Sequence, residues 1–202
     1  MAPRVAIVIY SMHGHIAKMA ESIHAGVNSA GGNAKILQIP ETLPEDVLKK
    51  MHALEKPPYP VITPENMREY DAFLFGIPTR FGNFPAQWKA FWDASGGIFH
   101  EGALSGKYAG IFVGTGGPGG GQEITVSNSI STLVHHGIIF VPLGYKHASQ
   151  QLANIEEVHG GSPWGAGTFS GSKGERWPSA LELELAKIQG SMFYETVSKV
   201  NF

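Results

Sequence analysis

Cysteine is absent from this 202-residue chain. That excludes disulfides, thiolate metal sites and cysteine nucleophiles. Long apolar runs are absent as well. The run near the N-terminus, in "MAPRVAIVIY", is too short for a signal peptide or a membrane span. Charge is sparse: 16% of residues are charged and the net charge is −2. A basic surface of the kind that phosphate backbones require is therefore missing, and nucleic acid is excluded as the main partner. No internal repeat or low-complexity tract interrupts the chain. With 43% hydrophobic residues, the composition fits one folded domain over residues 1–202 rather than a disordered chain. The expectation is a cytoplasmic protein with no integral membrane anchor.

Glycine, in contrast, is abundant at 26 residues and clusters. Unbroken β-branched or apolar runs predict buried strands over residues 4–10, 34–39, 72–77, 108–114 and 138–143. From His15, Ile16, Met19, Ala20, Ile23 and Val27 recur at helical spacing, and Gly31-Gly32 ends the pattern. A short helical piece is expected around residues 44–51. Another helix follows Asn83, read as its N-cap, with Phe84, Trp88, Phe91 and Trp92 on one face. That aromatic stripe reads as core or subunit interface. Further helices are expected over 124–136 and around Leu181, Leu185, Ile188 and Met192, with residues 144–178 as a long loop. The alternation predicts an α/β doubly wound, five-stranded parallel sheet with helices on both faces. In the strand order 2-1-3-4-5, the loops after Tyr10, Ile77 and Gly114 converge on one crevice.

Each of those loops carries its own chemistry. Ser11, Met12, His13, Gly14, His15 and Ile16 join a buried strand to a helix. A helix start offers free N–H groups and a positive dipole end, which suit a phosphate; the same turn also reads as an ordinary strand–helix junction. It carries neither the dinucleotide fingerprint nor a Walker loop. Pro78, Thr79, Arg80, Phe81, Gly82 and Asn83 place a planar cation and an aromatic where a flat anionic or electron-rich ring fits. Gly114, Thr115, Gly116, Gly117, Pro118, Gly119 and Gly120 hold more glycine than a bare turn needs. They suit backbone N–H groups that curl around a ligand edge. The histidines do not group as zinc ligands do, so no metal site is read. His135 and His136 fit a helix C-terminus. No Ser–His–Asp set and no paired carboxylates fall on these loops. The chemistry is therefore assigned to a bound cofactor, with the protein supplying placement and electrostatics.

Taken in order, "YSMHGHI", "GIPTRFGNFPAQWK", "GTGGPGGGQE", "TLVHHG", "VPLGY" and "EVHGGSPWGAGTFSG" resemble the tryptophan-repressor-binding-protein-like family. These are flavodoxin-like, FMN-dependent NAD(P)H:quinone oxidoreductases, and the likeness is strongest to fungal members that include minor flavodoxin allergens. The resemblance runs from about Arg4 to the C-terminal helix. It implies a flavodoxin-like fold, one FMN per subunit, and a homodimer or homotetramer. It implies two-electron reduction of benzoquinones by NADH or NADPH through FMN, in ping-pong order. Residues 11–16 would hold the FMN phosphate, 78–83 the ribityl chain and ring, and 114–120 the far ring edge. Arg80 and His135 would be the catalytic groups, His135 being reached from a neighbouring subunit. His13 and Phe99 would meet the substrate, Phe99 standing where relatives often place a Trp over the ring. Departures from the family pattern are His13 for a usual Tyr, Gly114 for a Ser, Gly117 for a Thr, and the insertion of Pro118. A flavodoxin-like electron carrier and a non-enzymatic stress or scaffold module, some fungal relatives being membrane-associated, are the competing readings.

Overall fold

The structure, a computed structural model, describes all residues 1–202. Its centre is a parallel sheet of β1 (Val5–Ile9), β2 (Ala34–Gln38), β3 (Ala72–Pro78), β4 (Tyr108–Thr115) and β5 (Ile139–Phe140). Their order is β2-β1-β3-β4-β5. Ile7 stands opposite Ile36 on one side and Leu74 on the other. Because successive strand residues face opposite sides, the two cores alternate along β1. Val5, Ile7 and Ile9 pack under α1 (His15–Ser29) and α7 (Ala180–Val197). Ala6, Val8 and Tyr10 face the layer of α3 (Ala86–Asp93) and α5 (Gln122–His135). Trp88, Phe91 and Trp92 are buried in that second layer, so the aromatic stripe is core. Trp88 Nε1 donates to the Gly76 carbonyl at 3.1 Å. The short helices α2 (Glu45–Lys50), α4 (Gly96–His100) and α6 (Ser149–Leu152) lie in the connections.

Three expectations are corrected. The loop expected over 144–178 contains α6 and a sixth strand, β6 (Gly167–Phe169), which pairs with the C-terminal half of β4. β5 itself is two residues long. It pairs only with Tyr108 and Ala109, and the chain then reaches Pro142, which has no N–H for the ladder. The edge beside β4 is thus filled by two separate pieces, with the intervening segment looped out. Second, α3 begins after Pro85. Asn83 instead closes a tight turn with Arg80 and accepts from the Phe84 N–H at 2.8 Å. Third, the buried face of α7 carries Leu185, Ala186, Phe193 and Val197, while Leu181, Ile188 and Met192 are only partly covered. The buried face includes Glu182 and Gln189 because it meets backbone. Gln189 donates to the Ile111 carbonyl at 2.9 Å and accepts from the Ala166 N–H at 2.9 Å. No helix is long and apolar enough to cross a membrane.

Candidate functional site

Strand order reverses between β1 and β3, and the loops at the carboxyl ends of β1, β3 and β4 open there into one cleft. Ser11, Met12, His13, His15, Ile16, Pro78, Thr79, Arg80, Gly114, Thr115 and Gly116 line it, together with Thr168 and Ser170. The cleft encloses about 110 Å³ and is open to solvent.

The first loop is built as an anion cradle. Gly14 takes φ +82° as the N-cap of α1, a conformation that L side chains rarely adopt. Gly14 has no side chain with which to cap this helix. Ser11 Oγ accepts from the Ala17 N–H at 3.2 Å, so its own hydroxyl proton stays free for a ligand. The N–H groups of Met12, His13, Gly14, His15 and Ile16 find no acceptor within the chain. Five consecutive unpartnered amides at a helix start are a strong call for an acceptor from outside. His15 lies on the cleft wall, 8% exposed, with its ring set against the backbone of Gly174 and Arg176 and no well-formed hydrogen bond at Nε2. Burial holds its pKa below the ordinary imidazole value, so the ring is neutral at pH 7.

The second loop is stiff. Thr79 N–H donates to the Gly114 carbonyl at 2.9 Å, and Thr79 Oγ1 pairs with Thr125 Oγ1 at 2.7 Å. Arg80 and Asn83 exchange backbone hydrogen bonds at 2.9 and 3.0 Å. Between them Phe81 and Gly82 both have positive φ, 54° and 72°, the pattern of a type I′ turn. Arg80 Nη1 is held on the Thr79 carbonyl at 2.8 Å. Phe81 stands at the turn's tip, fully exposed, outside the cleft lining along with Gly82 and Asn83.

In the third loop the N–H groups of Gly116, Gly117 and Gly119 have no partner in the chain. Gly120 N–H donates back to the Gly117 carbonyl at 3.0 Å. Gly114 and Gly116 reach the cleft; Gly117, Pro118, Gly119 and Gly120 stand beyond its lining. α5 begins at once, again on a left-handed glycine, Gly121, with no side-chain cap. The contrast with α7 is informative. That helix does not open on the cleft, and a full Ser179–Glu182 capping box satisfies its start.

Besides Phe81 to Asn83 and Gly117 to Gly120, Gly14 is not among the cleft-lining residues, and two further expected residues lie elsewhere. Phe99 and His135 line a separate groove with Lys89, Trp92, Ser95 and His136. There the buried His136 shares a 3.1 Å hydrogen bond with Ser95 Oγ and packs on Trp92, whose Nε1 is unpartnered. Conversely, Thr168 and Ser170 line the cleft and were missed, since Thr168 arrives on β6 and Ser170 directly after it, in a stretch the sequence presents as loop. Ser170 N–H donates to the Thr115 carbonyl at 2.9 Å, which brings its side chain to the cleft.

Comparison with known proteins identifies the family and the fold. Residues 3–153 match the family described as NADPH-dependent FMN reductase. The chain is 63% identical over 199 residues to the NAD(P)H quinone oxidoreductase PST3 of Candida albicans, covering 98% of this chain and 100% of that one. It is 59% identical over 203 residues to minor allergen Alt a 7 of Alternaria alternata, with 100% of both chains covered. Among solved structures, the flavodoxin, WrbA-like protein from Agrobacterium tumefaciens superposes with a TM-score of 0.64 at 22% identity, covering 96% of each chain. That likeness shows the flavodoxin-like fold.

Proposed function

The chain belongs to the family of NADPH-dependent FMN reductases, and from that premise we propose that it is an FMN-dependent NAD(P)H:quinone oxidoreductase. The observation that carries the reading is the row of unpartnered amides from Met12 to Ile16, beside the Ser11 hydroxyl. These groups fit a phosphate monoester. The rest of the cleft fits a flat ring: Gly114 has no Cβ, and one built there would come 3.2 Å from Ile16 Cδ1.

FMN, when bound, supplies the two-electron exchange between NAD(P)H and a quinone. Residues 11–16 bind its phosphate, with Ser11 donating its hydroxyl proton to a phosphate oxygen. Thr79, Arg80, Thr115 and Gly116 border the ring, with Pro78 and Gly114 forming the floor between β3 and β4. Arg80, oriented by the Thr79 carbonyl, would hold a fixed cation beside the cofactor and so favour its anionic reduced form. The unpartnered amide of Gly116, on the cleft wall, adds a donor. His13 and the exposed Phe81 stand at the mouth, where the nicotinamide or quinone enters. One cleft serves both partners, so donor and acceptor occupy it in turn, which is the ping-pong order.

A one-electron carrier of the flavodoxin kind keeps acids around the ring. No Asp or Glu lines this cleft, and Arg80 does, which supports the oxidoreductase reading. Phe99 and His135 complete the site of a neighbouring copy, in a homodimer or homotetramer. The compartment is the cytoplasm, with peripheral attachment to a membrane as the alternative.

The test is NADPH consumption by flavin-stripped protein, with and without added FMN and with and without 1,4-benzoquinone. Turnover that needs both additions supports the proposal. A protein that binds FMN and leaves NADPH intact in the presence of the quinone overturns it.

A further inference from the structure

Behind the first loop lies a residue that the cleft itself does not include. The rings of His15 and Trp177 stack, with centroids 5.0 Å apart and planes inclined by 24°. Trp177 also closes the back of Gly14: a Cβ there would come 2.8 Å from Trp177 Cη2 and 3.4 Å from Leu54 Cδ1. One indole thus covers both residues that open α1, although it is itself 51% exposed. It lines the groove on the far side of the turn, with Leu54 and Pro57, and not the cleft.

The segment that carries this indole is tied down on either side. Toward the third loop, the N–H groups of Ser170 and Gly171 donate to the carbonyls of Thr115 and Gly116, each at 2.9 Å. Toward α7, Arg176 Nη1 donates to both Glu182 oxygens at 3.1 and 2.8 Å and to the Phe169 carbonyl at 2.8 Å. Arg176 Nη2 donates to the Val158 carbonyl at 3.1 Å. Glu182 is wholly buried and accepts further from the N–H groups of Gly160, Phe169 and Ser179 and from the Thr168 hydroxyl. Residues 170–179 therefore form a strap with fixed ends, and Trp177 follows directly on the anchored Arg176.

An anion cradle made of parallel N–H groups and a glycine turn has little reason to hold its shape alone. The amides repel one another, and glycine is the most permissive backbone residue. A rigid back wall removes that freedom before the ligand arrives, so less ordering remains to be done on binding. We propose that Trp177 is a positioning residue for cofactor binding: seated on the strap that Arg176 and Glu182 anchor, it fixes the His15 ring and the Gly14 turn so that the amides of residues 12–16 converge on the phosphate. The inference rests on the FMN reading above. Because the indole acts through the first loop alone, its effect is confined to the phosphate half of the cofactor.

Flavin-stripped protein is titrated with FMN and with riboflavin, which lacks the phosphate. Wild type is compared with Trp177→Ala, Trp177→Phe, His15→Ala and the Trp177→Ala/His15→Ala pair. Trp177→Ala weakens FMN binding about tenfold, leaves riboflavin binding unchanged, and is rescued by Trp177→Phe. In the His15→Ala background its effect shrinks, since the two residues act as a unit. Thermal denaturation confirms that the variants are folded; a Trp177→Ala protein that does not fold shifts the decision to Trp177→Phe, which should bind FMN as the wild type does, and to His15→Ala, which should lose affinity for FMN and not for riboflavin. Equal FMN affinity in wild type and Trp177→Ala overturns the inference and leaves the FMN reading intact, as does an equal loss for FMN and riboflavin. A wild-type protein that binds neither flavin overturns the FMN reading itself.

Discussion

Gly14 carries two constraints at once. Its φ of +82° suits glycine, and an added Cβ meets the Trp177 ring. Gly14→Ala is therefore expected to distort the turn at a strain of roughly 1–3 kcal/mol, felt mainly as weaker FMN binding. Flavin fluorescence titration checks this, and an alanine variant with wild-type affinity would show that the turn tolerates another conformation. The histidines make a pH prediction. Burial, the largest cause, holds His15 and His136 below the ordinary imidazole value, with nearby His13 and His135 pushing the same way. As pH falls through about 6.5 the unfolded chain takes up protons that the folded protein refuses. The unfolded state then binds more protons, so stability is complete above about pH 6.5 and declines below it. Urea midpoints at about pH 7.5 and about pH 5.5 should differ, and His136→Gln should narrow the gap; an unchanged gap would remove His136 from the account. Much of the site was readable at this scale. Ser11, Arg80 and Thr115 announced themselves by polar chemistry on loops that follow buried strands. Thr168 and Ser170 did not, because nothing in "GTFSG" marks those hydroxyls as cleft-facing until the strand pairs with β4.

Between elements, the tightest junction is α1 against α7. A Cβ on Gly26 would collide with the Lys187 carbonyl, and one on Gly190 with the Ile23 carbonyl. The two helices touch backbone to backbone through these glycines. Gly26→Ala and Gly190→Ala should each destabilise the fold by about 1–3 kcal/mol through overpacking, although alanine is the better helix former. Urea denaturation measures this, and stabilisation by either alanine would mean the helices can slide apart freely. The buried Glu182 sets the other critical joint. Glu182→Ala leaves five donors without their acceptor and should lower stability by about 3 kcal/mol. It should also speed proteolysis within residues 170–179, a local readout that a uniform loss of stability would not give. Periodicity found the long elements, because α1 and β1, β3 and β4 bury apolar residues at regular spacing. It misplaced the face of α7, where Glu182 and Gln189 are buried as backbone partners. It missed β6, since three residues carry no period of their own and their pairing is specified by β4.

At the scale of the whole molecule, the homodimer or homotetramer proposed above is what would bring Phe99 and His135 to the cleft. The phosphate cradle, the Thr79–Asn83 turn and the glycine loop come together within a single chain, yet Phe99 and His135 line a different groove. Exposed apolar side chains gather on the elements around that groove and the cleft mouth: Phe99 at 51%, Ile124 at 58% and Val134 at 67%. In the proposed assembly a second copy would cover these side chains and bring its own Phe99 and His135 with it. The alternation of strands and helices made the fold class legible, but assembly left no periodic trace and entered only through family resemblance. The expected outcome is a dimer or tetramer by sedimentation. Val134→Glu, beside His135 on α5, should shift it toward monomer. If copies complete one another's sites, quinone turnover in that variant falls in proportion to the assembled fraction and recovers at high protein concentration. FMN affinity, built mainly from residues 11–16 of one chain, should change by less than about threefold. A monomeric variant with undiminished turnover would place the whole reaction within a single chain and leave Phe99 and His135 without a part in it.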